Sequence, residues 1–237
     1  MNADNYITRF RKGIAVGPII AMMLLSALVV QAQDPAQLKE MFARSQQQNA
    51  QALKQYVWKS RNEVKKNGES KSTQLFLMRY DTLGNIQKSQ IGGSTPPAMP
   101  KGLILGGIAQ KKKESFIELV KDLSEQVKAY SHIPPEKMKA FLASATITVK
   151  PDQGIVQIQG VDILQTGDSM RIVLDAKTRK PKRMEINTFL EKNPVKAVID
   201  FSDLPAGPTY MARTVIDYPK DALQLITDNF DYERETM

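Results

Sequence analysis

The 237-residue chain contains no cysteine and a single histidine, and these two shortages exclude several classes of function. Without cysteine the protein has no disulfides, no thiol for lipid attachment and no thiolate ligand for a metal. His132 alone leaves too few nitrogen ligands for an ordinary zinc site, and no Gly-x-Ser-x-Gly elbow accompanies it as a triad would require. No phosphate-binding loop or dinucleotide fingerprint occurs. We therefore expect no cofactor, no metal and no enzymatic activity.

Only one long apolar run occurs, and it lies near the amino terminus. Ile14–Val30 follows a basic segment that ends at Lys12–Gly13, and small residues close the run at Ala32. This order predicts a secretory signal peptide at residues 1–32, and a single mature domain at residues 33–237 that is periplasmic or secreted. The alternative is an uncleaved anchor in the inner membrane, because about 17 apolar residues approach the minimum for a membrane span.

The charge balance is basic, with a formal net charge of +8 at pH 7. A basic protein is attracted to anionic surfaces such as lipid headgroups, although the same balance is common in soluble proteins without such a partner. We expect no nucleic-acid partner, because no nucleic-acid-binding module is recognisable in an exported chain.

The distribution of apolar residues predicts three helices and about nine or ten strands. Helical spacing occurs at residues 35–54, at the amphipathic stretch that ends near Ser131, and in a short stretch after Pro134-Pro135. Alternating apolar residues predict the strands, and Asn67-Gly68 is a typical hairpin turn. The predicted fold class is α+β: a large curved antiparallel sheet, an incomplete barrel, with two or three helices packed on its concave face.

Two groups of apolar residues are candidates for contact with a ligand, and ordinary core packing is the alternative for both. Leu103, Ile104 and Leu105 lie between glycines in the predicted loop 92–107, where they would form a mobile lid or a partner-docking loop, or else pin the loop to the core. The second group lies on predicted strands that would line a cavity under the helices, and comprises Trp58, Phe76, Met78, Met184 and Ile186.

Three segments, Tyr56–Val64, Arg79–Asp81 and Arg183–Thr188, resemble a group of uncharacterised exported bacterial proteins. More distantly, the order of elements is similar to that of the periplasmic lipoprotein-carrier and outer-membrane lipoprotein-sorting superfamily. That resemblance implies an incomplete barrel closed by helices around an apolar cavity for acyl chains. It carries no residue-by-residue assignment, and a likeness of fold is a weak guide to function.

The function expected from the sequence is binding without catalysis. The first hypothesis is a periplasmic protein that holds a hydrophobic ligand, either an acyl chain or the lipid of a lipoprotein, between sheet and helices. The alternative is a cell-envelope module with a filled core and no ligand, which would bind another envelope protein.

Overall fold

An antiparallel sheet of ten strands dominates the computed structural model, which describes residues 48–94, 105–131, 133–205 and 207–235. The predicted signal peptide, most of the first predicted helix and the side chains of residues 105–113 lie outside this description. All described residues belong to one compact unit. No helix among them is both long enough and apolar enough to cross a membrane.

The strands and helices have the following bounds. The strands are β1 Tyr56–Lys66, β2 Glu69–Tyr80, β3 Ile86–Ser94, β4 Thr146–Lys150, β5 Ile155–Val161, β6 Ser169–Asp175, β7 Pro181–Leu190, β8 Asn193–Asp203, β9 Thr209–Tyr218 and β10 Leu223–Arg234. The helices are α1 Leu105–Ser131 and α2 Pro135–Ser144. Residues 48–53 form a further short helical segment before β1.

The strand order is β3-β2-β1-β10-β9-β8-β7-β6-β5-β4, and all neighbours are antiparallel. The last strand, β10, therefore lies between the first strand and β9. Strands β3 and β4 occupy opposite edges of the sheet, and helices α1 and α2 lie between them in sequence. Helix α1 contacts β7 and β9, and α2 contacts β5, so both helices pack on the sheet.

The face covered by the helices, called here the inner face, carries the core. In β6 every second residue is buried, namely Met170, Ile172 and Leu174, because successive side chains of a strand point to opposite faces. Helix α1 packs against this face through buried residues at helical spacing, among them Leu123 and Val127. Each buried side chain of this size stabilises the fold by roughly 1.5–3 kcal/mol.

The opposite, outer face is mostly polar and carries charged pairs between neighbouring strands. The Arg183 Nε atom on β7 lies 2.8 Å from Asp200 Oδ1 on β8. On β10, Asp228 accepts hydrogen bonds from Arg213 of β9 and Arg61 of β1, both at 2.7 Å. Such exposed pairs contribute little stability each, but they keep the outer face of a sheet with two free edges polar.

The structure confirms the predicted fold class, with an open antiparallel sheet and helices on one face. It also confirms the hairpin turn between β1 and β2. Asn67 and Gly68 both have positive φ angles, 54° and 80°, as a two-residue hairpin turn requires.

The predicted loop 92–107 is wrong at both ends. Residues 92–94 continue β3, where a bulge opposite Leu75 and Phe76 shifts the register. Beyond the bulge, Gly93 (φ 122°) pairs with Gln74, and a Cβ there would lie 2.3 Å from the carbonyl oxygen of Thr73, so this position in β3 requires glycine. At the other end Leu105 begins α1, so Gly106 and Gly107 are helical rather than a hinge. Glycine costs a helix about 1 kcal/mol, and the 27 residues of α1 tolerate that cost in its first turn.

Candidate functional site

A cleft of about 520 Å³ opens between the inner face of the sheet and the helices. Its volume is within the range of about 300–1,000 Å³ that is typical of small-molecule sites. The helical side is formed by Met138 and Leu142 of α2 and by Tyr130 near the end of α1. The short helical segment closes another side with Leu53.

The sheet side of the cleft is formed by residues from five strands. Ile172 of β6, Met184 of β7 and Phe201 of β8 provide an aliphatic and aromatic floor. Tyr80 of β2 and Tyr210 of β9 continue the wall toward the sheet's other half. No carboxylate lines this cleft among the described residues, and its lining is mostly apolar. The arrangement is suited to an alkyl group, because removing each CH₂ from water contributes about 0.8 kcal/mol.

Aromatic rings pack within and behind the cleft wall. The aromatic cluster comprises Tyr56, Trp58, Tyr80, Tyr210 and Tyr232. Trp58 stacks on Tyr232 with 5.5 Å between ring centroids and 4° between planes, and it contacts Tyr80 at the same distance. Burial raises the pKa values of the Tyr80 and Tyr232 phenols, so both remain neutral near pH 7. The cluster gives the wall a rigid backing.

A reciprocal pair of hydrogen bonds fixes the short helical segment to the sheet. The Asn49 side-chain amide donates to the carbonyl oxygen of Thr209 at 2.8 Å, and its oxygen accepts from the Thr209 backbone N–H at 2.7 Å. The Thr209 hydroxyl also donates to Asp203. Asn49 and Thr209 line the cleft themselves, so this pair forms part of its wall.

A buried polar network fixes the end of α1 at the other side of the cleft. The Tyr130 hydroxyl donates to Asp168 Oδ2 at 2.5 Å and is hydrogen-bonded to the Thr188 hydroxyl at 2.8 Å. Three backbone N–H groups, from residues 163–165, also donate to the Asp168 carboxylate at 2.6–3.0 Å. The side chain of Thr188 in turn accepts from Gln165.

Asp168 is ionised within this network although it has no exposed surface. Burial raises the pKa of its carboxyl group, but the donors from Tyr130 and the three backbone amides outweigh that effect, so the pKa lies below its ordinary value. Burial, followed by the hydrogen bond to Asp168, raises the pKa of Tyr130. All of these groups satisfy one another, and we assign the network a structural role.

The structure brings some of the predicted ligand-contacting residues to the cleft and separates others from it. Met184 lines the cleft directly, whereas Trp58 lies behind Tyr80. Phe76 is buried on the inner face near Lys88, whose Nζ lies 5.4 Å from the Phe76 ring centroid.

The remaining predicted residues do not line the cleft in the described structure. Met78 is half-buried and pairs with Trp58 across strands β1 and β2, and Ile186 is 1% exposed within the core. Leu103 and Ile104, like His132, lie outside the described residues, and Leu105 is described only by its backbone. The lid formed by these residues therefore stays a prediction.

Sequence reasoning missed the polar residues of the site. The helical pattern did mark Met138 and Leu142 as the apolar side of a short helix, and both line the cleft. Nothing in the sequence connects Asn49 with Thr209, which are 160 positions apart. Within the described residues, no three histidine, cysteine, aspartate or glutamate side chains are grouped as a metal site would require.

The fold is distantly similar to several solved structures. One is described as an outer membrane lipoprotein-sorting protein domain from Vibrio parahaemolyticus, with 7% identity and a TM-score of 0.40 over 86% of this chain and 94% of that one. A DUF1329 family protein from Desulfovibrio piger has 8% identity and a TM-score of 0.36 over 86% and 94%. A LolA superfamily protein from Nitrosomonas europaea has 9% identity and a TM-score of 0.31 over 81% and 94%.

The sequence comparisons found no relative. No protein-family model matches the chain, and no curated protein matches it at a significant level.

Proposed function

We propose that this protein is an exported, non-enzymatic binding protein that holds a hydrophobic ligand, an acyl chain or the lipid of a lipoprotein, in the cleft under its helices. The observation that carries the proposal is the apolar cleft of about 520 Å³ between α2, the end of α1 and the inner face. The predicted signal peptide directs the chain out of the cytoplasm, so we place the protein in the periplasm or outside the cell.

Binding in this cleft needs no chemistry beyond burial. Met138, Leu142 and Met184 present flexible or branched apolar side chains to it. Methionine adapts its shape to irregular ligands because it is unbranched and polarizable. The aromatic cluster and the Tyr130 network hold the walls in place, which reduces the conformational cost of binding.

The test is a displacement assay with a fluorescent fatty acid on the purified full chain, combined with native mass spectrometry for lipid that copurifies. Met211 lines the cleft and is 37% exposed, so Met211→Trp should narrow the opening and weaken probe binding at least several-fold.

The matched control is Leu77→Trp. Leu77 has nearly the same exposure, 39%, but points to the outer face, on the side opposite Phe76, and lines none of the cavities described here. Equal loss of binding in both variants, or an absence of probe binding and of copurified lipid in the unmodified protein, would contradict the proposal. The latter result would favour the protein-interaction module with a filled core.

A further inference from the structure

A second cavity, of about 330 Å³, lies beside the apolar cleft, which itself carries one cationic side chain, Lys139 of α2. Four residues line both cavities, so the two cavities adjoin; they are Asn49, Pro181, Phe201 and Thr209. The second cavity is about half polar at its surface and includes two cationic side chains, Lys180 and Arg234. No aspartate or glutamate lines it within the described residues.

The two cations differ in their partners. Lys180 Nζ lies 3.0 Å from Asp203 Oδ1, so its charge is already compensated. Arg234 lies over the ring of Tyr56, with 5.8 Å from Cζ to the ring centroid. Arg234 forms no ion pair with any described residue, and its sequence neighbours Glu233 and Glu235 are no exception.

A guanidinium that has no ion pair within the described part of the chain, in a cavity adjoining an apolar cleft, favours a particular class of ligand. Guanidinium groups bind carboxylates and phosphates through paired N–H donors, and stacking on an aromatic ring orients the group. Asn49 and Thr209 line both cavities, so the cavity that holds this cation adjoins the apolar cleft. A molecule with an apolar tail and an anionic head would match the two cavities in one orientation.

We propose that the ligand is an amphiphile with an anionic head, whose tail occupies the apolar cleft and whose head is bound by Arg234 in the second cavity. This inference rests on the proposed function and deepens it, because it adds a charge requirement to a site otherwise defined by apolar burial. The formal net charge, +8 for the full sequence and +6 without residues 1–32, acts in the same direction, since it attracts anionic amphiphiles over longer distances.

The experiment compares ligands that share a tail and differ in the head. Displacement of a neutral fluorescent probe is measured with oleate and oleyl alcohol, then with lysophosphatidylglycerol and lysophosphatidylcholine that have the same acyl chain. The unmodified protein should prefer the anionic member of each pair about fivefold, as a partly exposed ion pair allows. Arg234→Gln should remove most of this preference while leaving the binding of oleyl alcohol unchanged.

Arg79→Gln is the matched control. Arg79 is an exposed arginine of β2 that forms no ion pair among the described residues and lines neither cavity. The Arg79→Gln variant should keep the preference for anionic ligands. Because it lowers the net charge by the same amount as Arg234→Gln, it separates local binding of the head from the effect of net charge.

The outcomes distinguish the two proposals. Equal binding of anionic and neutral ligands, or a preference that survives Arg234→Gln, overturns the anionic-head inference and leaves the apolar cleft in place. Competition by inorganic phosphate alone at the same concentrations would indicate a site for free anions and also overturns the inference. If no ligand of either kind binds, the proposed function itself fails.

Discussion

Replacing Tyr130 with phenylalanine tests whether the buried network at the end of α1 holds that helix in place. The substitution removes one hydroxyl group and leaves the ring that packs in the core and lines the cleft. Asp168 loses one of its four donors and keeps the three backbone N–H groups. A hydrogen bond to a charged group contributes about 1.5–3 kcal/mol, so we expect the free energy of unfolding to fall by that amount.

Thermal and urea unfolding of the full chain measure this loss. For a protein of this size, a change of about 1.5–3 kcal/mol lowers the Tm by roughly 3–12 °C. The control is Tyr218→Phe, because Tyr218 is also buried, 3% exposed, but its hydroxyl forms no hydrogen bond among the described residues. A Tyr130→Phe protein as stable as Tyr218→Phe would refute the reasoning.

The same network predicts a pH dependence with a definite sign. The pKa of Asp168 is lower in the folded protein than its ordinary value, so its contribution to stability is complete above about pH 4–5 and is lost as the pH falls through the folded pKa. The stability difference between the unmodified protein and Tyr130→Phe should therefore shrink on acidification below about pH 4, as the carboxylate is neutralised. A difference that stays constant to the acid limit of the folded state would show that Asp168 is not the acceptor that matters.

Two further substitutions test the walls of the cleft. Asn49→Ala removes both hydrogen bonds to Thr209, so the free energy of unfolding should fall by about 1–3 kcal/mol. Amide hydrogen exchange at residues 48–53 should rise more than exchange in the sheet. Unchanged exchange at these residues would contradict the anchoring role of Asn49. Gly160→Ala would place a Cβ 2.8 Å from the buried ring of Phe141 on α2, so overpacking should lower the free energy of unfolding by about 1–3 kcal/mol. The control is Gly92→Ala. Its added Cβ would lie 3.8 Å from Leu75, an ordinary contact, so the stability should hardly change.

Local patterns were sufficient to predict most of the secondary structure. Alternating apolar residues identified β7 and β8, because one face of each strand is buried and the other is not. Asn67-Gly68 identified the first hairpin, because few other residue pairs accept two positive φ angles. The glycines of the predicted loop 92–107 have other roles, since Gly93 lies within β3 and Gly106 lies inside a helix. A glycine pattern alone does not separate these roles.

The composition of the site depends on strand order, which local patterns do not determine. Trp58 of β1 meets Tyr232 of β10, and Tyr232 meets Tyr210 of β9, only because β10 lies between β1 and β9. The same placement brings Arg234 beside Tyr56. The sequence indicates which side of each strand faces the helices, and the pairing of the first strand with the last determines which aromatic and cationic groups adjoin the cleft. A rearrangement that removed β10 from this position should therefore abolish both the aromatic wall and the cationic cavity, even if the aliphatic core of β5–β8 remained folded.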